Sequence, residues 1–443
     1  MQFNSIEFLF CFFPLFLIAY HRGPERLRKF VMVAGSLAFY ALASGGNIWW
    51  IPVLVVYTIF AYAMGMLLHK HRTKWMLTLV LGTLLGSLIF FKVYRGGRYL
   101  PSGMSFYLFQ ITAYLIDTYR NYLEPDRNIL EFFSQIVMFP KLLSGPLMNP
   151  KDLQTQVRSC EPNARNIHDG LQKLILGLSL KVLIANRLGS LWSQAGVIGY
   201  ESISPAFAWL SLLGYAMQLY FDFYGYSLMA IGIGKMLGYD LPANFLDPYA
   251  SKTVSEFYRR WHATLGAWFR EYLYIPLGGN RKGTFRTILN LAIVWLFTGL
   301  WHGVGGNYLL WAGFLFLLIV NERLWMGKLL KKTYVLGHVY VVFVILLSWV
   351  PFAVGDWNQM VVFVGRLFGM CGNTVNPQDF INWGKDYVGI LVSGAILATP
   401  LPGKICRKIK EYVISDLVLF CLFWVVVYFI STAAQDPFMY FQY

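Results

Sequence analysis

Residues 290–313, NLAIVWLFTGLWHGVGGNYLLWAG, form an apolar stretch in which one side chain can carry charge near neutral pH, His302. A histidine inside an apolar run of membrane-spanning length is costly to bury, so it marks a candidate functional site. His302 lies in the string GLWHG (residues 299–303), directly after Trp301. The stretch therefore predicts a membrane helix and places the centre of the chemistry at His302.

The composition of the whole chain indicates the same environment. Of its 443 residues, 57% are hydrophobic and only 13% are charged, whereas a soluble domain carries about 25% charged residues. Apolar runs recur along the whole length, many close to the roughly 20 residues that cross a bilayer as a helix. We predict an all-α polytopic membrane protein with a single membrane-embedded domain over residues 1–443.

The net charge of +15 comes from lysines and arginines gathered in short loops between the apolar runs. This distribution is typical of membrane proteins, in which basic loops stay in the cytoplasm. It predicts anionic lipid headgroups or a phosphorylated cytoplasmic ligand as partners, and no nucleic acid. The basic clusters at 22–29 and 404–410 predict that both chain termini are external.

Motifs for metal or cofactor binding are not found in the sequence. The five cysteines are scattered without a C-x-x-C pair, which argues against a zinc site or a disulfide framework. The sequence also lacks H-E-x-x-H, G-x-S-x-G and Walker A patterns. We therefore predict no bound cofactor and no metal.

Two segments leave the topology of residues 75–150 open. The basic loops at 69–74 and 92–98 are both predicted to be cytoplasmic, yet only the apolar run at 75–93 separates them. Either that run re-enters the membrane or the charge rule fails locally. Residues 101–107 and 138–150 are apolar but broken by Pro and Gly, a pattern tolerated at membrane depth only inside protein or along a cavity.

Asp222 is the one carboxylate in the apolar run at 206–234. Two interpretations stay open from sequence. Asp222 is either a buried carboxylate satisfied by a nearby tyrosine or arginine, or a direct participant in substrate or proton handling.

Residues 254–272 show apolar side chains at three- and four-residue spacing, which predicts one amphipathic interfacial helix. His262 falls at the edge of its apolar face, beside Arg259, Arg260 and Trp261. It is either an ordinary interfacial histidine or part of the site.

The segment YIPLGGNRKG (residues 274–283) follows this helix. Such a Gly-rich basic turn, with Asn280 and Arg281, can hold a phosphate through backbone N–H groups and positive charge. A plain cytoplasmic basic loop explains it equally well.

The two histidines allow one specific chemistry. A neutral imidazole in an apolar pocket can take the proton from a hydroxyl while that oxygen attacks a carbonyl. Desolvation disfavours the imidazolium, so the free base persists at neutral pH. No Cys or Ser nucleophile accompanies either histidine in the sequence, which favours direct transfer to an acceptor hydroxyl. The residues alone predict a buried general base in a membrane cavity.

Seven strings between about residues 100 and 315 resemble the membrane-bound O-acyltransferase (MBOAT) family, in its bacterial alginate O-acetyltransferase-like branch. They occur in the family's order. The strings are PSGMSFY (101–107), FPKLLSGP (139–146), FDFYGYS (221–227), NFLDPY (244–249), EFYRRWH (256–262), WFREYLYIPLGGNR (268–281) and GLWHG (299–303).

The resemblance implies a fold and a site. The fold is a ring of about eleven transmembrane helices, with re-entrant and interfacial helices, around a thin central funnel. His302 matches the family's catalytic histidine and His262 its second histidine. Asp222, residues 259–261, residues 280–281 and Trp301 are expected to line the donor side of the funnel.

The resemblance also implies substrates and partners. The donor is acetyl-CoA or an acyl-carrier thioester on the cytoplasmic side of the bacterial inner membrane. The acceptor is an exported cell-envelope polysaccharide, reached directly or through an extracytoplasmic SGNH-hydrolase-like acyltransferase. Tyr224 and Leu228 depart from the small and acidic residues usual at those positions. The particular polysaccharide is therefore not carried over from alginate.

The C-terminal residues PFMYFQY (437–443) resemble an aromatic tail found in envelope-acylation systems. One hypothesis makes Tyr440 a phenol nucleophile that relays the acyl group outward; the other makes it an aromatic interface anchor.

For the function of the whole chain, two alternatives to O-acetyl transfer stay open. One is D-alanyl transfer from a carrier protein to teichoic acid, and the other is a proton-coupled transporter.

Overall fold

The regular secondary structure is helical throughout the part of the chain that the computed structural model describes, residues 1–97, 99–370, 376–409 and 411–432. No strand occurs in these residues, and the all-α prediction is confirmed. Several of the helices are long and apolar, as the composition predicts.

The α-helices are, in chain order, α1 (Phe13–Arg22), α2 (Glu25–Ala43), α3 (Trp50–His71), α4 (Lys74–Val93), α5 (Met104–Tyr119), α6 (Ile129–Val137), α7 (Phe139–Leu142), α8 (Pro150–Ser159), α9 (Ala164–Ser179), α10 (Asn186–Ile198), α11 (Pro205–Met236), α12 (Val254–Arg260), α13 (Ala263–Phe269), α14 (Gly283–His302), α15 (Gly306–Asn321), α16 (Gly327–Lys332), α17 (Tyr334–Ala353), α18 (Trp357–Leu367), α19 (Asp379–Leu397), α20 (Leu401–Ile409) and α21 (Val413–Thr432). The π-helical segments are Glu7–Phe12, Leu180–Ala185, Arg270–Tyr274 and Glu322–Met326.

Seven of the described helical stretches are long and apolar enough to cross a membrane. The number becomes eight if α19 and α20, which meet at a bend of 73°, form one broken span. The predicted count of about eleven is not confirmed. Helices α2 and α11 are long enough, but polar and charged residues interrupt their apolar character.

Helix α4 covers the run at residues 75–93 for which the sequence leaves two topologies open. It is a continuous helix of 20 residues and one of the candidate spans. A left-handed residue, Arg72, ends α3 and reverses the chain, and its guanidinium donates to Asn121 Oδ1 at 2.5 Å. The basic loop at 69–74 and Lys92 lie at opposite ends of α4.

The described residues divide into two compact units, residues 1–178, 226–243 and 423–432, and residues 179–225 and 244–422. In the first unit, the Pro- and Gly-broken segments pack against each other. Gly103 has φ +69°, and a Cβ there would lie 2.5 Å from the carbonyl oxygen of Leu142. Residues 134–148 are all buried. These broken segments are thus inside protein, as expected at membrane depth. The single domain over 1–443 stays a prediction.

The second unit contains the α14–α15 hairpin, with His302 at its turn. Buried amides fasten both ends of the hairpin. Asn290 Nδ2 donates to the carbonyl of Gly279 at 2.9 Å, and Asn307 Nδ2 donates to the carbonyl of Pro351 at 3.0 Å. The amides satisfy backbone carbonyls that would otherwise be unpaired in an apolar environment. They hold the position of His302 relative to α17.

Close packing of α3 on α5 generates a test of the fold. A Cβ at Gly65 would lie 2.4 Å from the Tyr114 hydroxyl, whereas one at Gly82 on α4 would meet nothing within 4 Å. We expect Gly65→Ala to lower the free energy of unfolding by about 1–3 kcal/mol. Gly82→Ala should leave it unchanged or raise it by up to about 1 kcal/mol. Thermal unfolding of the detergent-purified variants measures both, and equal effects would contradict the packing.

Candidate active site

His302 is the last residue of α14 and its ring is enclosed by aromatic side chains. The imidazole centroid lies 4.4 Å from the Trp301 ring, 4.9 Å from Trp311 and 5.0 Å from Phe352. The last two rings stand edge-on to the imidazole. His302 remains half-buried, so its ring is not sealed off from a substrate.

The glycines of the GLWHG string permit the close approach of α15. A Cβ at Gly299 would lie 2.9 Å from that of Ala312, and one at Gly303 would lie 2.4 Å from the ring of Tyr308. The Tyr308 ring stacks with the His302 ring at 6.4 Å. Any larger residue at 303 would displace Tyr308, so the glycine keeps the pocket of His302 in shape.

His262 interrupts the segment that the sequence predicts as one helix. Helix α12 ends at Arg260 and α13 begins at Ala263, so the continuous amphipathic helix over 254–272 is wrong. His262 adopts the left-handed conformation, with φ 47° and ψ 49°. A non-glycine residue occupies this region only where the surroundings enforce it. Such strain is a common mark of functional residues and is not visible in the spacing of apolar residues.

The hydrogen bonds of His262 define which nitrogen holds its proton. His262 is only 4% exposed, and its Nδ1 lies 3.1 Å from Asn244 Oδ1, which also accepts from Thr264 Oγ1 at 2.6 Å. The backbone of Ala263 donates to the Asn244 carbonyl at 2.8 Å. A neutral imidazole that donates from Nδ1 to a carbonyl oxygen carries its lone pair on Nε2.

Burial also sets the charge of His262, which lies outside the candidate spans. Desolvation lowers the pKa of its imidazole from 6.5 to about 3. Phe223 packs edge-on against the ring at 4.8 Å, which adds to the apolar surroundings. His262 is therefore neutral at physiological pH, as a base requires.

Trp301 joins the two histidines. Its ring centroid is 6.2 Å from that of His262 and 4.4 Å from that of His302. Trp301 is itself 9% exposed. Two histidines that are 40 residues apart in sequence thus contact the same indole ring. The sequence predicts both histidines as site residues but not this arrangement.

Residues 259–261 have different roles in the structure. Trp261 is buried and stacks on Phe257, with ring centroids 5.5 Å apart, as part of an aromatic core. Arg260 pairs with Glu256 at 2.7 Å and is only partly buried. Arg259 is exposed. Of these three predicted donor-side residues, Arg259 is the one whose side chain is open to a ligand.

Asp222 is paired with a lysine. Lys181 Nζ lies 2.5 Å from Asp222 Oδ1, and both side chains are 2% exposed. Lys181 lies in the π-helical segment Leu180–Ala185, and such segments often occur at functional sites. Because Phe223 contacts His262, the pair lies one residue from the site. A direct role of Asp222 stays a prediction.

The Gly-rich turn before α14 exposes the predicted phosphate-binding residues Asn280 and Arg281. Gly278, Gly279 and Gly283 all have positive φ, which lets the chain reverse tightly there. The turn is at the first residue of α14 and His302 is at the last, so the helix length separates them. Tyr440, the proposed relay residue, lies outside the described residues.

The described residues include no group of three or more His, Cys, Asp or Glu able to hold a metal ion.

Sequence reasoning missed the roles of five residues in the site. These are Lys181, Asn244, Thr264, Trp311 and Phe352. Asn244 lies in the quoted NFLDPY string, which was the available signal. Trp311 lies in the quoted stretch 290–313, nine residues after His302, which was also an available signal. Lys181, Thr264 and Phe352 could not be found from sequence because their partners are 20 or more residues away.

The arrangement can support proton transfer beside aromatic side chains. It provides two imidazoles, aromatic rings packed around His302, and a half-buried ring at His302 that a hydroxyl can approach. A positioned imidazole of this kind can act as a general base.

Comparison with known proteins identifies the class. The sequence profile of MBOAT, the membrane-bound O-acyltransferase family, matches residues 36–335, which include both histidines. The chain belongs to this family. It is an acyltransferase and a multi-pass protein of the bacterial inner membrane, and these predictions are confirmed.

Individual relatives have narrower activities. The chain is 35% identical over 353 residues to a probable alginate O-acetylase, AlgI, of Pseudomonas putida, covering 73% of this chain and 71% of that protein. It is 32% identical over 367 residues to the peptidoglycan O-acetyltransferase of Helicobacter pylori, covering 70% and 68%. It is 26% identical over 255 residues to the teichoic acid D-alanyltransferase of Streptococcus thermophilus, covering 52% and 58%.

The Lys181–Asp222 pair gives a test that separates structure from chemistry. Asp222→Asn leaves a buried cation uncompensated, so we expect a loss of about 3–5 kcal/mol in the free energy of unfolding. The double variant Lys181→Met/Asp222→Leu should recover most of that loss, as measured by thermal unfolding. Acyl transfer by the double variant then decides between the two interpretations of Asp222. Full activity shows a structural role, and a stable but inactive protein shows a direct one.

Burial of neutral His262 predicts a pH-dependent stability. The unfolded chain takes up a proton near pH 6.5 that the folded site excludes, so stability is present above that pH and is lost as the pH falls. Between pH 7 and pH 5 the loss from this residue is about 2 kcal/mol. Unfolding of wild type and His262→Gln at both pH values measures it. Parallel pH dependence in the two proteins would refute the buried neutral state.

Proposed function

We propose that this chain transfers an acetyl group from a cytoplasmic thioester to a hydroxyl of an exported cell-envelope polysaccharide. His302 acts as the general base. The observation that carries the proposal is the pair of histidines on one indole ring, inside an aromatic pocket, in a member of an O-acyltransferase family. The relatives act, by name, on alginate, peptidoglycan and teichoic acid, which supports a polymer as the acceptor.

The reaction needs one base and no covalent enzyme intermediate. The acceptor hydroxyl attacks the thioester carbonyl carbon while the His302 imidazole takes the hydroxyl proton. The tetrahedral intermediate collapses with cleavage of the C–S bond. The leaving thiolate receives the proton from the imidazolium, so the products are an ester and a free thiol. His302 has the role of base because its ring is half-buried and open to a substrate, whereas His262 is enclosed.

His262, which contacts the same Trp301 ring, supports the proton transfer to His302. Its Nδ1 is engaged with Asn244, and the lone pair on Nε2 can accept a hydrogen bond. In this proposal it is the second catalytic histidine, and it orients the donor or the acceptor hydroxyl. Asn244 and Thr264 fix the tautomer and the plane of the ring.

The charge pattern assigns the two substrates to opposite ends of α14. Arg281 and Lys282 precede the helix, and basic loops of membrane proteins face the cytoplasm. We assign the phosphate groups of acetyl-CoA to Asn280, Arg281 and Arg259, all exposed. His302, at the other end of the helix, then meets an acceptor that approaches from outside.

The proposal has an alternative to direct transfer, in which the enzyme does carry the acyl group. The Tyr440 phenol is then the hydroxyl that attacks the thioester, and an extracytoplasmic SGNH-hydrolase-like acyltransferase would receive the acyl group from the resulting acyl-tyrosine. Unchanged transfer to polymer by Tyr440→Phe would eliminate the relay, and the aromatic tail would then serve as an interface anchor.

A second candidate is D-alanyl transfer from a carrier protein. The match to the teichoic acid D-alanyltransferase favours it, although that alignment covers only 52% of this chain. An acidic carrier would bind the same exposed basic turn at 280–282. Comparing acetyl-CoA with an acylated carrier protein as donor separates the two. Membership of the O-acyltransferase family favours either enzyme over the transporter.

Substitution of His302 tests the proposed base. We expect His302→Gln and His302→Ala to lower transfer from radiolabelled acetyl-CoA by a factor of a hundred or more, because about 2.7 kcal/mol of barrier lowering or more is lost. Purified protein in liposomes, with an extracted envelope fraction, is scored for thioester hydrolysis and for label on polymer or protein.

His168→Gln is the matched control for this experiment, since His168 is exposed on α9. It should keep wild-type activity. Retention of more than about a tenth of the activity in His302→Gln would exclude His302 as the base. A wild-type protein that neither binds nor consumes acetyl-CoA would instead refute the donor, and the carrier-protein candidate would take its place.

A further inference from the structure

Glu322 is a buried carboxylate that neither the site nor the sequence motifs include. It begins the π-helical segment after α15, lies inside the candidate span Gly306–Lys332 and is 5% exposed. Its Oε1 accepts a hydrogen bond from the backbone N–H of Val254 at 2.5 Å. Its Oε2 accepts from the N–H and the hydroxyl of Ser255, at 3.1 and 2.9 Å. All three donors belong to the first turn of α12, 67 or 68 residues away in sequence.

The three contacts complete the N-terminus of α12. The first N–H groups of a helix have no partner within the helix and need one elsewhere. Thr253 Oγ1 accepts a hydrogen bond from Glu256 N at 3.1 Å. Glu322 accepts from the N–H groups of Val254 and Ser255. A carboxylate is well suited to this position because the helix N-terminus carries partial positive charge. With only seven residues, α12 depends on such outside contacts for its stability.

Helix α12 leads directly into the left-handed turn at His262. Its last residue, Arg260, accepts a hydrogen bond from Leu246 N at 3.0 Å, and Ala263 N donates to the carbonyl of Asn244 at 2.8 Å. The segment at 244–246 therefore holds both sides of the turn. Glu322 holds the other end of α12, less than three helical turns from His262. Loss of either contact would free the strained turn to relax.

We infer that Glu322 is a positioning residue for acyl transfer, which anchors the start of α12 and so holds His262 in its strained, buried place beside Trp301. The inference rests on the role of His262 in the proposed function. It assigns to Glu322 no contact with substrate. The residue acts through α12, and its removal should disturb the geometry of catalysis more than donor binding.

The test compares Glu322→Gln and Glu322→Ala with a matched control, Asp379→Asn. Asp379 is equally buried, at 5% exposed, and its carboxylate accepts from Ser204 N at 2.7 Å and Ser204 Oγ at 2.5 Å, just before α11. It thus holds the residue that precedes a different helix. The glutamine variant keeps one acceptor oxygen and serves if the alanine variant fails to fold.

Two readouts are measured on the purified full chain in detergent or liposomes. The first is carbethoxylation of His262 by diethyl pyrocarbonate, followed by mass spectrometry. The second is kcat and KM for acetyl-CoA. We expect the Glu322 variants to expose His262, with modification about tenfold faster than in wild type. We expect kcat to fall about tenfold or more while the donor KM stays within about twofold. Asp379→Asn should leave both readouts at wild-type values.

Protection of His262 in both Glu322 variants would overturn the inference, whatever their activity. Equal exposure of His262 in Asp379→Asn would also overturn it, because the effect would then be general loosening. Exposure of His262 in the Glu322 variants with unchanged kcat would confirm the anchor but refute the role of His262 in the proposed function. The structural and the functional claims are therefore tested separately.

Discussion

The buried polar groups of this protein impose the constraint on which the rest of the second unit depends. In an apolar interior each such group needs a partner, or its desolvation is not offset. His262 has Asn244, Asp222 has Lys181, and the N-terminus of α12 has Glu322. Each pair joins segments that are distant in sequence. Together they hold a short, strained segment in place where apolar packing alone would not select one geometry.

Aromatic packing supplies the complementary half of the site. The rings of Trp301, Trp311 and Phe352 surround His302. The edge-on contacts with Trp311 and Phe352 are directional but weak, and they orient the imidazole. His262 is more deeply buried, and its Nδ1 is hydrogen-bonded to Asn244 Oδ1. The two histidines on Trp301 are therefore chemically unequal, and this inequality supports separate roles in acyl transfer.

Family membership establishes the type of reaction, whereas differences around the site bear on which substrate is used. The family establishes an acyltransferase in a membrane, and the relatives differ in the polymer and in the acyl group named for them. Tyr224 lies in the string 221–227, which also contributes Phe223 to the wall around His262, and Leu228 directly follows that string.

The sequence by itself determined the class of fold and the membrane environment, and it predicted the two histidines as site residues. Composition and short sequence strings were sufficient for this, because they do not depend on contacts between distant residues. It was wrong about the helix at 254–272, because spacing of apolar residues does not reveal a left-handed break that distant hydrogen bonds enforce at His262. It left two topologies for residues 75–93, because loop charge is a statistical signal; the structure adds that the run forms one continuous helix, α4. Only the tertiary structure paired Asp222 with Lys181, placed both histidines on Trp301 and brought Glu322 to α12. These are contacts between segments tens of residues apart, and their free energies depend on burial and geometry that exist only once the chain has folded.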